Sequence, residues 1–126
     1  MQPIDLTQTY VQLTDGAEAR PVAVGADFWE TIAERTELHA GRLVMLNRCG
    51  ADWAHWEMHP AGDEIVFLLS GAVDLVLERA DGEDIIELRR RAACIVPGGV
   101  WHRAIVHQPG EMLFITRGAG TRHRPV

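Results

Sequence analysis

Along most of the chain, apolar and polar residues alternate with a period of two, the spacing of strands that bury one face. Residues 4–14 alternate loosely through Ile4, Leu6, Tyr10, Val11 and Leu13 and predict an N-terminal strand or extended arm. Residues 25–37 are the one stretch with helical credentials. Asp27 stands at a cap position with Glu30 three residues on, and Phe28, Ile32 and Arg35 would share a face beside Trp29. Gly41 closes that segment, and the period of two then returns. Strands are predicted over 42–48, 53–59, 64–70, 72–80, 84–90, 92–96, 100–107 and 111–117. Between them lie the turns Pro60-Ala61-Gly62-Asp63, Gly71, Asp81-Gly82, Pro97-Gly98-Gly99 and Gln108-Pro109-Gly110, of which Asp81-Gly82 is the strongest hairpin signal. Residues 118–126, rich in Gly and Arg, read as a surface tail.

Eight or nine short strands at close spacing, after one short N-terminal helix, predict an all-β sandwich or barrel. One domain over 1–126 is expected, with an arm and helix over 1–40, a barrel core over 41–117 and the tail. Two of its strands are apolar on both faces. If Glu64 points inward, Val66 and Leu68 follow it and Ile65, Phe67 and Leu69 are left outside. Trp56 and Met58 likewise face away from the side carrying His55, Glu57 and His59. A sheet with one wet face does not look like this. Either the helix or the arm covers the second face, or another copy of the chain does, and a homodimer is the expectation.

Composition narrows the function. The chain is 47% hydrophobic and 24% charged, which is globular rather than disordered. Eighteen acidic residues against twelve basic ones give a net charge of −6, the wrong sign for a general phosphate-backbone binder, so no nucleic-acid partner is expected. Arg89-Arg90-Arg91 reads as a solvated strand end. All twelve basic residues are Arg, which excludes Schiff-base chemistry on Lys and a lysine-bearing phosphate loop. Cys49 and Cys94 form no Cys-x-x-Cys pair and read as small buried apolar residues. No apolar run has the length of a membrane span, and residues 1–16 lack the basic start and apolar core of a signal peptide, so a cytoplasmic protein without a membrane partner is expected.

Candidate ligands crowd into two short segments. In a strand, His55, Glu57 and His59 project to one side, and Glu64, beyond a tight turn, can return to face them. A second segment, Pro97-Gly98-Gly99-Val100-Trp101-His102, puts another imidazole at a strand start. Two imidazoles and one or two carboxylates converging in a barrel suit Fe, Mn, Ni or Zn as divalent ions. His59, Glu64 and Gly71 also stand at the spacing of the first cupin motif, in which a second His is followed by Glu after five residues and Gly after seven more. Glu57 occupies the place of that motif's first His. Pro97, Gly99 and His102 match the second motif, Pro-x-Gly-x-x-His, although Val106 replaces its usual Asn and Arg91 a usual Gly. The sequence therefore resembles the cupin superfamily over a span running from Glu57 to His102.

The resemblance implies a double-stranded β-helix, the jelly-roll barrel of cupins, with a metal held by Glu57, His59, Glu64 and His102. Glu57 is then a fourth ligand or a catalytic acid or base, unless the site has lost its metal. His55, Trp53 and Trp101, which flank these segments, become candidates for shaping a substrate pocket. In cupins such a centre commonly serves a dioxygenase, isomerase or decarboxylase acting on a small organic molecule. The alternative is a non-catalytic module that binds or senses a small molecule without a working metal site. A plain jelly roll with no site is a third reading and ranks last, because apolar residues would pack such an interior at lower cost than Glu57, His59, Glu64 and His102.

Overall fold

In the computed structural model, which describes residues 2–126, two antiparallel sheets face one another across a shared apolar core. The first six strands are β1 (Thr9–Leu13), β2 (Ala19–Ala23), β3 (Arg42–Cys49), β4 (His55–Met58), β5 (Glu64–Leu68) and β6 (Ala72–Arg79). The remaining five are β7 (Gly82–Leu88), β8 (Ala93–Val96), β9 (His102–Gln108), β10 (Gly110–Thr116) and β11 (Arg122–Pro125). One sheet has the order β2-β1-β3-β10-β5-β8 and the other β11-β4-β9-β6-β7. Among the described residues, no helix is long and apolar enough to cross a membrane.

The eight strands predicted between residues 42 and 117 all form, with ends moved by a few residues. Burial follows their alternation. Val66 and Leu68 on β5, and Val73, Leu75 and Leu77 on β6, are all at most 2% exposed and meet across the core with Leu88, Val96 and Met112. The hairpin read from Asp81-Gly82 forms one residue earlier. Arg79 pairs with Gly82, so the two loop residues are Ala80 and Asp81.

Both ends of the chain depart from expectation. Residues 9–13 do form a strand, but Ala19–Ala23 add a second, and Val11 of β1 pairs with Val44, so the arm widens a sheet. The predicted helix shrinks to one turn, α1 (Phe28–Thr31), followed by two 3-10 turns, Ile32–Glu34 and Thr36–Leu38. Asp27 makes no side-chain cap bond, and the expected capping box does not form. Tertiary anchors hold this segment instead. Phe28 meets Tyr10 edge to face at 5.3 Å, and the Gln12 carboxamide donates to the carbonyls of Glu37 and Ala40 at 2.8 and 3.0 Å. The carbonyls of Glu37 and Ala40 find their partner in Gln12, so no regular helix is needed to satisfy them. The tail does run over the surface, but it is not irregular: Arg122 to Pro125 form β11, pairing with Met58 to His55 of β4.

Candidate metal centre

The two ligand-bearing turns are locked together. The Asp63 carboxylate accepts from the Gly98 N–H at 2.9 Å, and the Gly99 N–H donates to the His59 carbonyl at 2.9 Å. A Cβ on Gly98 would lie 3.1 Å from the Gly62 backbone, so the close approach of the turns favours glycine at 98, while Gly99 takes a φ of +80°. Register then aims the side chains. Glu57 faces His102 across β4 and β9, and His123 faces Glu57 across β11 and β4, so three strands set a row of ligand-type residues side by side. Glu64 opens β5 in the opposite sheet, on the inward face it shares with Val66 and Leu68.

Glu57, His59 and His102 offer ligand atoms that all lie within 4.8 Å of one another. Glu64 sits against both imidazoles, with His102 Nε2 3.1 Å from Oε1 and His59 Nε2 3.2 Å from Oε2. Glu57 Oε1 is 3.7 Å from His59 Nε2. Glu64, His59 and His102 are buried, whereas the Glu57 side chain keeps a quarter of its surface exposed. The Thr116 hydroxyl donates to Glu64 Oε2 at 2.5 Å.

Hydrogen bonding at the far side of each ring fixes which nitrogen carries the proton. His102 Nδ1 lies 2.9 Å from the Val100 carbonyl, which can only accept, so Nδ1 is protonated. The Thr121 hydroxyl gives its single proton to the Gly118 carbonyl at 2.8 Å, and His59 Nδ1 at 2.7 Å must donate to it. In the neutral rings both Nε2 atoms are therefore lone pairs facing a carboxylate. His59 Nε2 is also buried without a hydrogen-bond partner. Lone pairs opposed at such distances require a positive species between them, either protons or a metal cation. Without a cation, burial raises the Glu64 pKa, but the bonds and charges of His102 and His59 outweigh it and bring the value down to about 2. For His102, burial lowers the pKa, and the Glu64 contact, larger in sum, holds it above the ordinary imidazole value. The donor set fits a divalent ion.

A cavity of about 810 Å³ opens over these residues. Its walls are Leu43, Met45, Asn47 and Phe114 from the six-stranded sheet, and Trp29, Ile32 and Leu38 from the N-terminal segment. Of the residues predicted to bind substrate, Trp53 lines this cavity and packs near His102 and Phe114. His55 is exposed and does not line this cavity; it lines a separate shallow depression with Trp53, Glu57 and His123. Trp101 is a correction: it lines neither concavity and stacks under Arg124 at 4.6 Å on the other face of its sheet. Neighbours in an extended chain point opposite ways, so placing His102 inside turns Trp101 outside.

Sequence reasoning missed Thr116 and Thr121, which hold the ligands, and found no partner for His107 or His123. His107 meets Asp74 at 2.8 Å, and His123 Nε2 lies 3.5 Å from Glu57 Oε1. For His123 and Thr121 the missing signal was β11 itself.

The fold is that of the cupins. A cupin-2 domain protein from Shewanella frigidimarina matches with a TM-score of 0.52 at 17% identity, over 60% of this chain and 69% of that one. A hydroquinone 1,2-dioxygenase solved with Cd2+ and 4-hydroxybenzonitrile matches with a TM-score of 0.51 at 19% identity, over 60% of this chain. Oxalate decarboxylase from Bacillus subtilis matches with a TM-score of 0.54 at 13% identity, over 68% of this chain. This chain spans 56% of the dioxygenase chain and 24% of the decarboxylase. No protein-family model matches the sequence, and no curated protein matches it.

Proposed function

We propose that the barrel binds a divalent metal through Glu57, His59 and His102, with Glu64 as fourth ligand, and acts on a small organic molecule held in the cavity above it. The observation that carries this reading is the pair of imidazoles whose Nδ1 atoms are tied to Val100 and Thr121, leaving both Nε2 lone pairs aimed at the buried Glu64 carboxylate. Two imidazoles with carboxylates are a donor set that Fe, Mn, Ni and Zn accept. A bound ion there supplies Lewis-acid polarisation or an oxygen-binding position. Glu57, nearest solvent, is the residue placed to hold or move a substrate proton. Trp53, Phe114 and Met45 give the substrate an apolar berth that excludes water. Metal-containing neighbours of the same fold, among them the Cd2+ complex, are consistent with this reading.

Elemental analysis of untagged protein, incubated with each of the four ions and freed of excess, should return about one equivalent of metal per chain for at least one of them. Stoichiometry near zero for all four would end the metal reading and favour a metal-free binding module.

We infer further that a second copy covers the outer face of the six-stranded sheet. Pairing there lines up Val11, Val44, Ile115, Ile65 and Ile95 across five strands, with Leu46, Leu113 and Phe67 as a second row. The corresponding face of the other sheet is mixed, with Asp74, Glu78, Arg103 and His107 among Val76, Ile85 and Ile105. Six strands about 4.8 Å apart and roughly 20 Å long present about 600 Å² in plan, near the 800 Å² per partner of a standard interface. Sedimentation should show a dimer that Ile65→Glu with Leu113→Glu converts to a monomer. A wild-type monomer at micromolar concentration would refute it.

A further inference from the structure

The cavity wall contributed by the six-stranded sheet is a grid set by register. Leu43 faces Thr116, Met45 faces Phe114, and Asn47 faces Met112. Because Thr116 holds Glu64, the acidic centre lies at the level of Leu43. Asn47 is four residues further along β3, about 13 Å at the rise of a strand. Met45 and Phe114 fill the interval, so a polar wall group stands at the far end of an apolar stretch.

The carboxamide of Asn47 is oriented from behind. The Tyr10 hydroxyl lies 3.0 Å from Asn47 Oδ1, and Tyr10 is only 2% exposed. Burial raises the phenol pKa, which keeps the phenol protonated. The carboxamide oxygen can only accept, so the phenol gives its proton to Asn47 Oδ1. Asn47 Nδ2 then has two donors and, among the described residues, no hydrogen-bond partner, while the residue lines the cavity.

We propose that Asn47, positioned by Tyr10, is a recognition point for a neutral acceptor atom at the far end of the ligand, a carbonyl or ether oxygen rather than a carboxylate. The proposal builds on the reading of this cavity as a ligand chamber with its reactive end at the metal ligands. Charge decides for the neutral class. No Arg lines the cavity and the chain has no Lys. Glu57 and Glu64 already make its walls acidic, and an anion moved from water to Asn47 would meet one amide and no counter-charge. His39 does not supply one: Gln12, which binds the Ala40 carbonyl, pairs with Leu43, so His39 belongs to the level of the centre and not to that of Asn47.

Three phenols of matched shape test this: 4-hydroxyacetophenone with a neutral carbonyl, 4-ethylphenol without an acceptor, and 4-hydroxyphenylacetate with an anion. Calorimetric titration of the whole chain, zinc-loaded and after EDTA treatment, should rank the ketone first by about three- to tenfold, the yield of one hydrogen bond. Asn47→Leu should erase the preference of ketone over ethyl while leaving zinc affinity unchanged. Asn47→Asp, nearly isosteric, should erase it as well and covers the case in which the leucine variant fails to fold. Tyr10→Phe should reduce it. A wild-type protein that fails to bind the ketone at millimolar concentration, binds the three alike, or keeps its preference without Asn47 overturns the proposal. A preference that persists when zinc does not bind supports the subsite and sinks only the metal reading, so the two failures are distinct.

Discussion

His59→Ala is expected to lower divalent-metal affinity by about two to three orders of magnitude while changing the stability of the metal-free protein by only about 1 kcal/mol. Both numbers come from the surroundings of one ring. Structural zinc sites bind with roughly 10–16 kcal/mol spread over four ligands, so each ligand contributes about 2.5–4 kcal/mol. The metal-free loss is small because His59 makes one hydrogen bond, to Thr121, and beyond it gives up only the 3.2 Å contact of Nε2 with Glu64. Glu64 keeps His102 and Thr116 as partners in the variant. His102→Ala is the contrasting case. It removes the ring that bonds both Val100 and Glu64, leaving a buried carboxylate short of a partner, a change that costs about 3–5 kcal/mol in metal-free protein. Competition against a chromophoric chelator gives the affinities, and urea unfolding in EDTA gives the stabilities. If the histidines were merely structural, the two variants would differ in stability and neither would change a metal affinity. That outcome would remove the centre.

Why these ligands were legible, and their supports were not, follows from what a period of two encodes. It says which residues share a face, so Glu57 with His59, and Glu64 with Val66 and Leu68, could be assigned to the interior before any coordinates. The same rule, applied to Trp101 once His102 was inside, would have removed Trp101 from the pocket. It does not say which strands are neighbours. Thr116 was readable as an inward residue of β10, but its bond to Glu64 needs β10 beside β5. Residues 118–126 gave no alternation at all. Arg122-His123-Arg124-Pro125 pairs as an edge strand, where a proline is tolerated because one side of the ladder is open. Thr121 and His123 were hidden with it. The N-terminal segment misled in the opposite direction. Its cap pattern suggested a helix, but Thr31 and Ile32 are β-branched and Gln12 offers its carbonyls an external donor, so packing over the cavity outweighed local propensity.

Metal-free protein is expected to be most stable between about pH 4.5 and 6.5 and to lose stability on both sides, for two separate reasons. Glu64 has a folded pKa of about 2 against an ordinary 4.5. A depressed carboxylate stabilises fully above its unfolded value, and that contribution is lost as pH falls from about 4.5 towards 2. At about 1.4 kcal/mol per unit the acid limb amounts to roughly 3 kcal/mol. His102 is displaced upward from 6.5, so its contribution is complete below that value and is lost as pH rises through the folded pKa. The alkaline limb thus reports the imidazolium that faces Glu64 in place of a cation. Adding the metal should abolish that limb and only that one. An ion competes with the proton on His102 Nε2, so its affinity rises as that proton leaves, and the stabilisation it gives grows as pH rises above neutrality. Melting temperature against pH, with EDTA and with saturating zinc, should give two curves that converge in acid and diverge above neutrality. Parallel curves, or a metal-free protein that gains stability from pH 6.5 to 8, would show that Glu64 and His102 are not the coupled pair on which the centre is built.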